Sequence, residues 1–115
     1  MRTHGDVAPD SVGIVGVSQA GWIIPIAAAE SPEIPFVILQ SGPTVTLGEE
    51  DYFSELTRDF DCGRSGLSPA EADVLVRSRA PSGFDPRPYL SRMTQPGLWF
   101  YGLEDLSKDE PRREL

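Results

Sequence analysis

Three short apolar runs mark the chain, each bounded by Gly, Pro or polar residues. The first holds Val12, Ile14, Val15 and Val17, with Gly13 and Gly16 between them. It is β-branched and shows no polar alternation, which predicts a strand buried on both faces, as in a parallel sheet. The second run is Phe36, Val37, Ile38 and Leu39, and the third is Leu98, Trp99, Phe100 and Tyr101. Residues 22–30, between the first two runs, are mostly apolar and predict a helix wedged against a sheet. Pro25 lies inside that segment, and its missing N–H predicts a local kink. Strand, helix and strand within about thirty residues form a βαβ unit.

The middle of the chain has a different pattern. Tyr52, Phe53 and Leu56 are spaced as one face of a short helix, among the acids Glu49, Glu50, Asp51, Glu55, Asp59 and Asp61. Acids so arranged predict a solvated helix face. Ser68-Pro69-Ala70-Glu71 reads as a capping box with Pro at the first helical position, and Ala72, Leu75 and Val76 supply the apolar stripe of the helix that follows. Asp85 and Pro86 open a third short helix that turns Tyr89, Leu90 and Met93 inward. Ser107-Lys108-Asp109-Glu110 is a further capping box. The organisation is therefore a strand, turn, helix and strand over 12–41, a helical segment over 44–95, and a third strand, acid loop and helix start over 96–115.

Composition narrows the function classes. A chain of 115 residues holds one small domain with one core. Its net charge of -8 repels phosphate backbones, which argues against a nucleic-acid partner. One Cys and one His are too few for a structural zinc site or a disulfide framework, in keeping with a reducing, cytoplasmic location. The apolar stretch over 22–29 is far short of a membrane span, and the N-terminus carries no apolar signal core.

The segment that carries chemistry is Gly16-Val17-Ser18-Gln19-Ala20-Gly21-Trp22. Ser18 stands between a buried strand and a helix, with small residues two before it and two and three after it. A sharp strand-to-helix turn needs that arrangement, because bulk at those places collides with neighbouring backbone. The turn lifts the hydroxyl out of the sheet and sets the Gln19 N–H at the helix start, where an oxyanion can be stabilised. Other readings of the segment fit less well. A phosphate loop requires Lys and Ser or Thr where Trp22 and Ile23 stand. A dinucleotide fingerprint requires an acid where Gln40 ends the second strand, and a different glycine spacing. A tight turn with an inert serine stays open. Ala20 departs from the G-x-S-x-G pattern by one methyl.

This elbow, followed in order by Phe36-Val37-Ile38-Leu39-Gln40-Ser41-Gly42-Pro43 and by Pro96-Gly97-Leu98-Trp99-Phe100-Tyr101-Gly102 with Asp105, resembles the α/β-hydrolase superfamily. The likeness is to bacterial serine hydrolases of esterase and peptidase type with a G-x-S-Q-[GA]-G-W elbow. Residues 83–90 are similar to the segment that leads from their cap to the next strand. The resemblance implies a three-layer α/β-hydrolase fold, present here as a partial parallel sheet of about three strands with a helical cap segment. It implies Ser18 as nucleophile, the Gln19 backbone N–H as half of the oxyanion hole, and Asp105 as the acid that holds an imidazole, with Glu104 and Asp109 as rivals. It implies no cofactor and no metal. The partner would be a small-molecule acyl substrate of the full-length form, cleaved at an ester, thioester or amide through an acyl-serine intermediate. Tyr52, Phe53, Phe84 and Tyr89 are candidate pocket walls, with core packing as the competing role.

Two parts of that machinery have no counterpart in the sequence. The chain order in the superfamily is Ser, acid, His, and no His follows Asp105. His4 precedes the elbow and is not assigned to a triad. The second oxyanion donor should come from an earlier strand. The expectation is a fragment whose open sheet edges favour self-association, with Ser18 facing Asp105 across neighbouring strand tips. The alternative is an inactive hydrolase-like piece or binding module.

Overall fold

The computed structural model describes residues 5–61 and 65–103. Three parallel strands, β1 (Ile14–Val17), β2 (Val37–Gln40) and β3 (Gly97–Phe100), form one sheet in the order β1-β2-β3. Val17 aligns with Gln40, and Gln40 with Phe100, so all three strands end at the same level. The chain is thus of α/β type. Each strand lies within two residues of the run that predicted it, because Gly, Pro or polar residues bound those runs.

Helix α1 (Ala20–Glu30) returns from β1 to β2 with Pro25 buried inside it. It packs on β1 and β2, and the last helix before β3 (Arg87–Arg92) packs on α1. The core beneath α1 is Ile24, Ala28, Val37 and Leu39, with Ile14, Ala20, Ile34, Met93 and Trp99 against it. Gln95 fastens the approach to β3: its amide donates to the Ala28 carbonyl at 2.7 Å and to the Ser31 carbonyl at 3.1 Å, both at the end of α1. The carbonyls that end a helix have no partner within it, and Gln95 supplies one.

Among the described residues the sheet is covered on one face, where the expectation was strands buried on both. Successive side chains alternate between faces. Ile14, Val37, Leu39 and Trp99 face α1. Val15 is 67% exposed, Val17 57%, Leu98 56% and Phe100 44%. Among the described residues, the helix that packs on the strands lies on the other side of the sheet. An unbroken apolar run therefore specified strand without specifying a second covering layer.

A second cluster forms beside the first. Helices α2 (Leu47–Thr57) and α3 (Pro69–Arg77) bury Phe53, Ala72 and Val76 between them, with Tyr52 and Leu56 packed against the group. The Ser68 hydroxyl accepts the Glu71 N–H at 3.3 Å, as the sequence predicts for the start of α3. A full reciprocal box opens α2: Glu49 N–H donates to Thr46 Oγ1 at 3.2 Å, and Thr46 N–H to Glu49 Oε2 at 3.0 Å. Asp85 accepts the Arg87 N–H at 3.0 Å at the start of α4 (Arg87–Arg92).

Replacing Leu39 by Ala empties the sheet–helix core and is expected to cost about 2–5 kcal/mol in denaturant unfolding. Val15→Thr, on the uncovered face, should stay within about 0.5 kcal/mol. Equal losses from the two substitutions would contradict a sheet covered on one face.

Candidate functional site

Ser18 follows β1 immediately and takes a left-handed backbone conformation, with φ of 55°. Its N–H donates to the Gln40 carbonyl at 2.9 Å, extending the parallel ladder one rung beyond the strand. Its carbonyl accepts the Gly21 N–H at 2.9 Å, which closes the turn into α1. A left-handed residue other than Gly, Asn or Asp is uncommon and costly, so the surrounding packing must hold it there.

That packing starts with missing side chains. A Cβ on Gly16 would stand 2.5 Å from both Ala20 Cβ and Ile24 Cδ1. Glycine at 16 thus leaves the space that the Ala20 methyl fills, which accounts for alanine at the variant place of the elbow pattern. A second close approach lies one residue further on. A Cβ on Gly21 would lie 2.7 Å from Pro43 Cδ, 2.8 Å from Pro43 N and 2.9 Å from the Gly42 carbonyl carbon. The first turn of α1 therefore lies directly against the backbone leaving β2. Gln19 is the N-cap of α1 and makes no side-chain cap bond. In the first turn the Gly21 N–H is taken by the Ser18 carbonyl and the Trp22 N–H by the Gln19 carbonyl at 3.1 Å, and the helix start favours negative charge.

Ser18 opens into a cavity of about 120 Å³ lined by Ser18, Gln19, Trp22, Ser41, Pro43, Leu47, Glu50 and Asp51. Ser41 repeats the geometry of Ser18 one strand over. It follows β2, has φ of 51°, and its N–H donates to the Phe100 carbonyl at 2.8 Å. Two hydrogen bonds hold the segment that leaves β2. Trp22 Nε1 donates to the Val45 carbonyl at 3.0 Å, and the Tyr101 hydroxyl donates to the Gly42 carbonyl at 2.7 Å.

The acids of α2 do not form one solvated face, which corrects the sequence expectation. Asp51 and Glu55 are exposed. Glu49 is 4% exposed, serves the capping box, and lies 3.7 Å from Arg87. Arg87 in turn pairs with Asp85 at 2.7 Å, and that hydrogen bond holds its guanidinium more firmly protonated than usual, against the effect of burial. Glu50 is half-buried on the cavity wall. Burial pushes its carboxyl above the ordinary range. The charges of Asp51 and Asp59 push the same way, and the Ser54 hydrogen bond opposes them.

The predicted residues fare differently. Ser18 and Gln19 come together at the turn and line one cavity. Asp105 lies outside the described residues, as do Glu104, Asp109, the capping box at Ser107 and His4. β2 stands between β1 and β3, so Ser18 and the end of β3 belong to strands that are not adjacent, and the expected facing of Ser18 and Asp105 lies outside the described residues. The four aromatic candidates do not line the Ser18 cavity. Phe53 is fully buried in the α2–α3 cluster. Tyr52 lies 4.0 Å beneath the Arg79 guanidinium, and Phe84 stacks on Tyr89 at 5.9 Å. The walls are instead Ser41, Trp22 and Glu50, none of which the sequence singles out as a wall. The shared signal for the two serines is a serine closing an apolar strand run just before a glycine or small-residue turn.

A larger cavity, about 480 Å³, opens beside α2 and α3 against Glu49, Asp51, Tyr52, Glu55 and Arg79. It has no strained hydroxyl, so the smaller cavity is the better candidate for chemistry. Among the described residues no group of three or more His, Cys, Asp or Glu could hold a metal ion, and no helix is long and apolar enough to cross a membrane. A scan against protein-family models gives no match, and searches of curated proteins and of solved structures also give none.

Gly21→Ala forces a methyl into the backbone of residues 42 and 43. It should lower stability by about 1–3 kcal/mol in denaturant unfolding. A neutral result would contradict the close approach of α1 to that segment.

Proposed function

We propose that the chain carries the nucleophile portion of a serine hydrolase of α/β-hydrolase type. The observation that supports this most is the left-handed Ser18 in the turn between β1 and α1. A strained serine at the carboxyl end of a parallel strand, beside a helix start, is the arrangement of an α/β-hydrolase nucleophile elbow. Ser18 Oγ attacks the acyl carbonyl and loses its proton to a base. The C–O⁻ that forms is met by the Gln19 N–H, and its collapse breaks the bond to the leaving group, which takes the proton back from the base and departs as an alcohol, thiol or amine. Water then releases the acyl group by the same steps. Asp105 is the proposed acid that orients the base. It follows β3 closely in the sequence, and β3 ends level with β1.

The sequence offers no His after Asp105. Removal of a triad Ser or His costs roughly a millionfold in turnover. The reading therefore assigns this chain the nucleophile and half of the oxyanion hole, and expects very low turnover from it alone. The second reading is a hydrolase-like module that binds a small acyl ligand without cleaving it.

Treatment with a fluorophosphonate, followed by peptide mass spectrometry, distinguishes the two. The hydrolase reading expects slow phosphonylation of Ser18 that disappears in Ser18→Ala. An adduct that survives the substitution removes Ser18 as the reactive group, and no adduct on the native chain favours the binding module.

A further inference from the structure

Trp22 and Leu47 each stand between two hollows. On one side they line the Ser18 cavity. On the other they line an open cleft of about 270 Å³ together with Ile23, Ile26 and Phe84. All five residues of the cleft are apolar. The one polar side-chain atom among them, Trp22 Nε1, is already given to the Val45 carbonyl.

Both walls of the cleft are fixed in place. One wall is α1, where Ile26 follows Trp22 by four residues and Ile23 by three, the spacing of neighbours on a helix surface. The other wall joins Leu47 to Phe84. The Leu47 N–H donates to the Phe84 carbonyl at 3.0 Å, and the Gly48 N–H donates to the Ser82 carbonyl at 2.9 Å. Glycine at 48 permits that approach, because a Cβ there would collide with Ser82. Phe84 is steadied by stacking on Tyr89. Even so, Ile23, Leu47 and Phe84 remain exposed. Apolar surface left in water between preset walls favours an apolar ligand.

Position and charge narrow that ligand. From Trp22 to Ile26 the helix rises about 6 Å, so the cleft leads from the Ser18 cavity along α1. Among the described residues no base lines either hollow, and Glu50 and Asp51 line the Ser18 cavity. An anionic head group finds no counter-charge there, whereas a neutral one is not repelled.

We propose that the cleft takes the apolar acyl chain of a neutral ester whose carbonyl lies at Ser18. This rests on the reading of the Ser18 cavity as an acyl site, and it names the chain that the site selects. Val15 and Leu98, exposed on the sheet and lining neither hollow, provide the internal control.

The test is an NMR titration of the intact chain with methyl hexanoate and with methyl acetate. The methyls of Ile23, Ile26 and Leu47 and the amide of Gln19 should shift with one common midpoint, while Val15 and Leu98 stay in place. A buried methylene is worth about 0.8 kcal/mol, or about fourfold in affinity. Hexanoate carries four more than acetate, and an open cleft covers each only in part, so its ester should bind at least about tenfold more tightly. Ile23→Asp should erase most of that gain with little change in melting temperature, since the position is exposed. Equal affinity for the two esters, shifts shared with Val15 and Leu98, or cleft shifts without Gln19 overturn the proposal. Phosphonylation of Ser18 by hexyl and methyl phosphonofluoridates separates this proposal from the reading beneath it. Adducts formed at equal rates leave the hydrolase reading standing and overturn the cleft. No adduct from either, alongside the expected titration, removes the hydrolase and supports the cleft as part of the binding module.

Discussion

The contact between the first turn of α1 and the ends of β1 and β2 sets the geometry of everything around it. Two absent side chains make that contact possible. Gly16 admits Ala20 and Ile24 onto β1, and Gly21 admits the backbone at Gly42 and Pro43. Once α1 is seated so closely, the link from β1 has only a few residues in which to reverse direction. Ser18 absorbs the reversal as a left-handed residue. Trp22 then reaches the Val45 carbonyl and ties the segment leading to α2. The cavity, its two serines and the half-buried Glu50 all follow from one close approach of helix to sheet. Packing of this kind is intolerant of added volume, since interiors are filled to nearly crystalline density.

The elements themselves are legible in the sequence. The apolar runs mark three strands, and Ser68-Pro69 marks the start of α3. The small residues around Ser18 mark the turn. These are local signals, in which the residue type and the backbone it needs coincide. What the sequence does not reveal depends on neighbours. Val15 and Val37 look alike in a string of letters, and which of them meets α1 is decided by alternation and by where the helix lies. In the fold it is Val37 and Leu39 that are buried, while Val15, Val17 and Leu98 stay exposed.

The acids of α2 show the same limit. Glu49 and Glu50 are adjacent and chemically identical, yet one caps a helix and meets Arg87 while the other lines a cavity. The pattern Thr46, Leu47, Gly48, Glu49 carries a capping-box signature, which separates Glu49 from the solvated set. Nothing in the local sequence marks Glu50, which lines the cavity together with residues of the β1–α1 turn. Ser41 likewise gains significance only when β2 is placed beside β1. The acid at Asp105 stays a matter of sequence order, outside the described residues.

The central claim is that packing holds Ser18 in a conformation its side chain disfavours. The most direct measurement compares the unfolding free energies of Ser18→Gly and Ser18→Ala. Both remove the hydroxyl, and only glycine is at ease with φ near the 55° found here. The account predicts that the glycine variant is the more stable of the two, by about 1 kcal/mol. An alanine variant as stable as the glycine one, or more so, would mean that the turn is not strained and that the site built on it does not exist as described.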